Sequence, residues 1–202
     1  MKTMWIAIIA AVVIIGGGIW YFMSMSQNGM NTGMAANTMA TTSQTSPTQE
    51  GTMVGGALMT PNKDIVQNAM NANNVTTLVA AVQAAGLATT LEGPGPFTVF
   101  APDNNAFAKL PAGTVTTLLE PANKAELVKI LEYHVVAGHY TSADLYDGET
   151  LTTVEGQTLT IGKSASGQIT VNGTAMVEIP DIMSSNGVTF LIDTVLMPPS
   201  TN

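Results

Sequence analysis

His134 and His139 are the chain's entire stock of imidazole, and there is no cysteine with which either could pair. Thiolate nucleophiles, disulfides and lipoprotein attachment are thereby excluded. No Gly-x-Ser-x-Gly elbow is present, so a hydrolase reading lacks its nucleophile as well. His134 closes the run Leu127-Val128-Lys129-Ile130-Leu131-Glu132-Tyr133-His134. On a helical wheel it shares the face of Leu127, Val128 and Leu131, while Glu126, Lys129 and Glu132 make the other face. An imidazole on an apolar stripe is expected to bond both nitrogens to backbone and to serve structure. Tyr133 falls toward Glu126 and Lys129, at the stripe's edge, where an amphipathic ring either caps the sheet or offers a contact to a partner.

The carboxylates invite a metal reading. Asp144, Asp147 and Glu149 crowd one short loop and could hold Ca²⁺, but their spacing is not that of an EF-hand. A solvated turn is the expectation, with no metal and no cofactor. Asp64, before Ile65-Val66, reads as a helix cap, and Asp181, between Pro180 and Ile182, as a turn residue. Seven methionines lie between residues 23 and 59: Met23, Met25, Met30, Met34, Met39, Met53 and Met59. Thioethers suit Cu(I), so copper handling by this stretch is the alternative function. A compositionally loose linker is the plainer account. Asn74-Val75-Thr76 and Asn172-Gly173-Thr174 are glycosylation acceptors only in a host that glycosylates.

Charge narrows the partners. Fourteen acidic residues face six basic ones, a net charge of −8. All six basic residues are lysines; without arginine, nucleic-acid and heparin-like partners are not expected.

Three zones must position these groups. Residues 1–25 contain an uncharged run from Met4 to Phe22, with Trp5 at one end and Trp20-Tyr21 at the other. A bilayer-spanning helix needs roughly 20 apolar residues and favours aromatic rings at its ends. Lys2 before the run, with no basic residue after it until Lys63, places the N-terminus in the cytoplasm and the remainder outside. A cleaved signal peptide ending at Ser24-Met25-Ser26 is the competing reading. Residues 26–61 are rich in Ser, Thr, Asn, Gln, Gly and Met, show no apolar period and read as a disordered linker.

Residues 62–198 carry regular signals. Helices are expected after Asp64, from Thr76 or Thr77 to Gly86, after Pro102-Asp103, and from Lys124 to Tyr133 with Asn123 and Glu126 as a capping pair. Phe97–Ala101 reads as a strand. Thr150–Val154, Thr158–Gly162, Gln168–Val171, Ala175–Ile179 and Val188–Val195 follow as strands around Glu155-Gly156, Ser166-Gly167 and Asn172-Gly173 turns. Helices first and an antiparallel meander afterwards imply an α+β domain.

Three segments of this zone together resemble the fasciclin (FAS1) family. Thr98-Val99-Phe100-Ala101-Pro102-Asp103-Asn104-Asn105-Ala106-Phe107-Ala108-Lys109-Leu110-Pro111 is similar to its first hallmark box. Leu131-Glu132-Tyr133-His134-Val135-Val136-Ala137-Gly138 is similar to its Tyr-His motif, with Ala137 where proline is common. Asn186-Gly187-Val188-Thr189-Phe190-Leu191-Ile192-Asp193-Thr194-Val195-Leu196-Met197-Pro198 is similar to the second box, with Phe190-Leu191 near the place of a His-Val or His-Ile pair. The resemblance implies a wedge-shaped β-sandwich with several short helices, and adhesion to a cell-surface or matrix protein or glycan; on the residue inventory above, no enzyme is expected. Self-association stays open. Asp103, Asn104, Phe107, His134 and Asp193 are the structural residues it implies. Asp64-Ile65 and Asp181-Ile182 resemble Asp-Ile motifs tied to integrin binding in animal members, so with Tyr133 they form the expected adhesion surface.

Overall fold

The computed structural model describes residues 51–199. The expected membrane anchor, and the expected linker up to residue 50, lie outside that range. Among the described residues no helix is long and apolar enough to cross a membrane.

The fold starts earlier than the sequence suggests. Strands β1 (Thr52–Val54) and β2 (Ala57–Met59) form a hairpin within the stretch expected to be linker. Gly55 and Gly56 turn it with φ of 56° and 81°, values that glycine adopts at low cost. Val54 and Met59 are each 3% exposed and join the main apolar cluster. The buried Asn68 side chain holds the hairpin's end, accepting from Thr60 N and donating to Thr60 O, both at 3.0 Å. Strands of three residues carry almost no periodic signal, so composition alone concealed them.

Helix α1 (Ile65–Ala69) begins where Asp64 Oδ1 accepts from Gln67 N at 2.7 Å. Helix α2 (Thr76–Ala85) stops at Gly86, whose φ is 76°. Its N-terminal turn is capped from a distance: Asn104 Oδ1 accepts from Thr77 N at 3.0 Å. After α3 (Ala88–Leu91), strand β3 (Phe97–Pro102) leads into α4 (Asn104–Ala108), where Asp103 Oδ1 accepts from Ala106 N at 2.6 Å. Helices α5 (Thr114–Leu118) and α6 (Lys124–Tyr133) follow. The expected capping pair at α6 does not form, because Asn123 Nδ2 instead donates to Thr117 O at 2.7 Å.

The remaining strands are β4 (Val135–Ala137), β5 (Thr150–Thr152), β6 (Thr158–Lys163), β7 (Ile169–Val171), β8 (Ala175–Ser184) and β9 (Gly187–Ile192). They join β3 in one sheet of order β4-β3-β9-β8-β7-β6-β5. All pairs are antiparallel except β3 with β9, which run parallel with Phe100 opposite Phe190. A bridge from Val136 to Thr153 joins the two ends of the order, and Val154 N donates to Val135 O at 2.7 Å. The expected two-sheet sandwich is therefore corrected to a single, barrel-like sheet. Register shifts along β8, between Val177 and Ile179 and between Ile179 and Ile182, mark bulges that bend the strand.

Side chains alternate across β3 and β9. Phe100, Val188, Phe190 and Ile192 pack inside the rolled sheet with Leu159, Ile161 and Val171. Val99, Ala101 and Leu191 pack outside it against α1, α2 and the hairpin. Both faces of these central strands are thus buried, which is why β3 reads as a continuous apolar run. The Phe100 and Phe190 rings stack with centroids 5.4 Å apart.

Candidate adhesion surface

Tyr133 is 1% exposed, so the expectation that it contributes to the adhesion surface is corrected. Its ring lies among the residues inside the rolled sheet, and its hydroxyl donates to Thr158 O at 3.2 Å and accepts from Asn172 Nδ2 at 3.0 Å. The helical wheel assumed one buried face. Helix α6 has three: Leu127 and Leu131 meet the helical cluster, Ile130 meets Ala106 and Val195, and Tyr133 enters the barrel.

His134, at the C-terminal cap of α6, is equally buried. Nδ1 lies 2.7 Å from Ile130 O and Nε2 accepts from Leu196 N at 2.9 Å. A ring that accepts at Nε2 must carry its proton on Nδ1, so this is the neutral tautomer. Burial pushes its pKa down to about 4 against the partial support of the Ile130 carbonyl. With both nitrogens engaged, this imidazole has none left for a substrate.

The two Asp-Ile pairs are also built into the fold. Ile65 and Ile182 are buried, and Asp64 is spent on the α1 cap. Asp181 is not in the expected turn but inside a strand. It sits on a bulge within β8 at φ 55°, where its carboxylate accepts from Ser142 N at 2.7 Å and from the Ser142 hydroxyl. Neither pair presents an exposed Asp-Ile dipeptide.

The hallmark residues converge. Asp103 N donates to Ile192 O at 3.1 Å, and Lys109 Nζ forms an ion pair with Asp193 at 2.9 Å. Asp193 Oδ1 accepts from Met176 N at 2.8 Å. Partial burial raises the Asp193 carboxyl, but the Met176 amide, Lys109 and Thr194 outweigh it and hold the group below its usual range. Asn104 Nδ2 donates to Asn73 O at 3.0 Å, and the half-buried Phe107 packs between the helical cluster and Ile130. These contacts tie α2, α4, β8 and β9 into one unit.

The acidic loop is a set of separate turns. Asp144 Oδ2 accepts from Thr141 N at 2.9 Å, Asp147 Oδ1 from Lys163 N at 2.9 Å, and Glu149 Oε2 from Tyr146 N at 3.2 Å. The Thr141 hydroxyl and amide hold the Asp144 carboxyl below its usual range. Among the described residues no group of three or more His, Asp or Glu side chains could hold a metal ion. For the copper alternative, Met59 belongs to the core, Met53 is exposed, and the other five linker methionines lie outside the described residues.

Sequence reasoning missed two groups around this loop. Lys163 Nζ donates to Ser142 O at 2.7 Å and Leu145 O at 2.8 Å, anchoring the loop from β6. Leu145 is buried in the barrel while Tyr146 beside it is 63% exposed. The only sequence signal was an aromatic residue in an acidic turn.

A fasciclin-domain family model matches residues 73–198. The chain belongs to the fasciclin family. Protein sll1483 from Synechocystis is 46% identical over 152 residues, covering 75% of this chain and 83% of that protein. Transforming growth factor-beta-induced protein ig-h3 from Sus scrofa is 39% identical over 124 residues, 61% of this chain but 18% of its own length. Among solved structures, the FAS1 domain pair of the insect cell adhesion molecule fasciclin I aligns with a TM-score of 0.61 at 20% identity. That alignment covers 70% of this chain and 53% of that one, and it shows a common fold. The family is not one of enzymes.

Proposed function

We propose that this fasciclin protein is an adhesion module, tethered to a membrane by residues 1–25 and docking a cell-surface or matrix protein or glycan on the outer side. The observation that carries this reading is family membership, joined to a fold found in an insect cell adhesion molecule. The uncharged Met4–Phe22 stretch supports the tether.

The docking surface we favour is the loop Ser142–Glu149, with Tyr146 at its crest. Leu145, Asp181 and Lys163 fix the loop from below, so little ordering entropy remains to be lost when a partner binds. Tyrosine offers a large contact area on only two side-chain torsions. The test uses phospholipid vesicles bearing the full chain, or a chain ending at residue 61, exposed to envelope material from the source cells. The full chain is expected to bind this material saturably and the truncated one to leave it in solution. Equal retention by both would remove adhesion from the domain.

A further inference from the structure

Methionine is ordinarily among the more buried residues. Here the distribution is reversed. Of the six methionines among the described residues only Met59 is in the core, while Met53, Met70, Met176, Met183 and Met197 are between 39% and 61% exposed. Among the described residues, Tyr146 and Val154 are the only other large apolar side chains so exposed. No leucine, isoleucine or phenylalanine joins them. The surface carries the thioether, not apolar bulk as such.

Nothing in the packing calls for an apolar group at these positions. Met53 precedes the buried Val54 on β1, Met176 stands between the buried Ala175 and Val177 on β8, and Met183 follows the buried Ile182 on the same strand. Met70 is the C-terminal cap of α1, and Met197 follows the buried Leu196. Outward strand positions are ordinarily polar, and strand propensity favours β-branched and aromatic residues over methionine. What remains is the chemistry of sulfur. Copper(I) would require two or three sulfurs converging on one ion. Oxygen transfer requires only that each sulfur meet solvent, the property all five share.

We propose that these five methionines are oxidation sites forming a sacrificial layer, which takes up two-electron oxidants such as hypochlorous acid while the fold persists. The sulfur lone pair attacks chlorine and hydroxide leaves. Water then adds at sulfur, and chloride and protons depart to give the sulfoxide; sulfur loses the two electrons that chlorine gains. With no cysteine in the sequence, thioethers are the chain's softest nucleophiles. A sulfoxide oxygen at the surface is solvated at little cost, whereas at Met59 it would be a polar group within an apolar cluster. The layer does not depend on the loop assigned to adhesion.

The test titrates the full chain in phospholipid vesicles with hypochlorous acid. Peptide mass spectrometry follows each residue, and the melting temperature follows the fold. All five methionines are expected to gain one oxygen before chlorine appears on Tyr146 or the lysines. Met59 should react about tenfold more slowly or less, because its sulfur meets oxidant only when the fold opens. The melting temperature should stay within a few degrees once the five are fully oxidised. Replacing all five by leucine should bring the onset of chlorination forward by about five equivalents of oxidant, one for each sulfur removed. Glutamine at the five positions serves if leucine causes self-association, and that chain should melt like wild type. Oxidation of Met59 in step with the others, or unfolding once the five are oxidised, would overturn the sacrificial role. An onset of chlorination unchanged by the substitutions would show that these sulfurs intercept no oxidant, and would overturn it equally.

Discussion

The Leu196 amide donates to His134 Nε2 across 2.9 Å, joining the C-terminal cap of α6 to the segment that follows β9. Sixty-two residues separate the partners. The bond exists only while Nε2 is unprotonated, so an imidazole in the core makes this closure sensitive to acid. At the other end of the ring Nδ1 donates to Ile130 O at 2.7 Å, fixing the tautomer.

Stability should therefore fall with pH in a defined window. Above pH 6.5 the ring is neutral in both the folded and unfolded chains. Between 6.5 and about 4 only the unfolded chain takes up the proton, which favours unfolding; below about 4 both take it up and the loss levels off. The full effect is about 3 kcal/mol. Urea unfolding at pH 7.5, 5.5 and 4.5 measures it. His134→Ala should cost about 2–4 kcal/mol at pH 7.5, from a cavity and unpaired backbone groups. It should also flatten the slope between pH 6.5 and 4.5; an unchanged slope would assign the acid sensitivity to carboxylates.

Tyr133→Phe isolates the hydroxyl that links Thr158 and Asn172. The expected cost is about 1 kcal/mol, because Asn172 lies on the surface and can turn to water. Tyr133→Ala should cost about 3–5 kcal/mol through the volume lost inside the barrel. Chemical denaturation of both variants checks the difference. If Tyr133→Ala melted like wild type, the burial of this ring would be refuted.

The β1–β2 hairpin should behave as part of the domain. Met59→Ala is expected to cost about 2–4 kcal/mol, as for any buried large-to-small change. A chain starting at residue 62 should melt well below one starting at residue 51, since it lacks Val54 and Met59 and leaves Asn68 without Thr60. Equal melting temperatures would return these residues to the linker.

What could be read from the sequence was local. Asp64 and Asp103 announce their helices because a cap and the amide it bonds are three residues apart. Gly86 and the Asn172-Gly173 turn are legible for the same reason. Pairings across long stretches are not. Asn104 caps α2 from another helix, and Asp181 holds a loop 39 residues before it. The parallel β3–β9 pair hides behind an apparently simple meander. Tyr133 shows the limit most clearly: a wheel places residues around one axis but cannot count how many neighbours surround it. The candidate adhesion residues were judged by type and spacing, yet Ile65, Ile182 and Tyr133 are buried by contacts that no local pattern encodes.

The last prediction concerns attachment. If the Ser142–Glu149 loop is the docking surface, Tyr146→Ala should weaken retention of envelope material about tenfold without altering the fold, since the ring is largely in solvent. Asp181→Asn offers a second view. It keeps the side chain's size while weakening the charge-assisted bonds to Ser142, so the loop should loosen and attachment should fall by a smaller factor. Asp64→Asn serves as the control, because asparagine caps a helix about as well as aspartate and Asp64 is remote in sequence from the loop. Each variant should melt within a few degrees of wild type before its binding is compared. Retention unchanged by Tyr146→Ala and reduced by Asp64→Asn would move the docking surface to the start of α1. Loss in the first variant alone would fix it at the loop, where one exposed aromatic ring stands on a buried leucine.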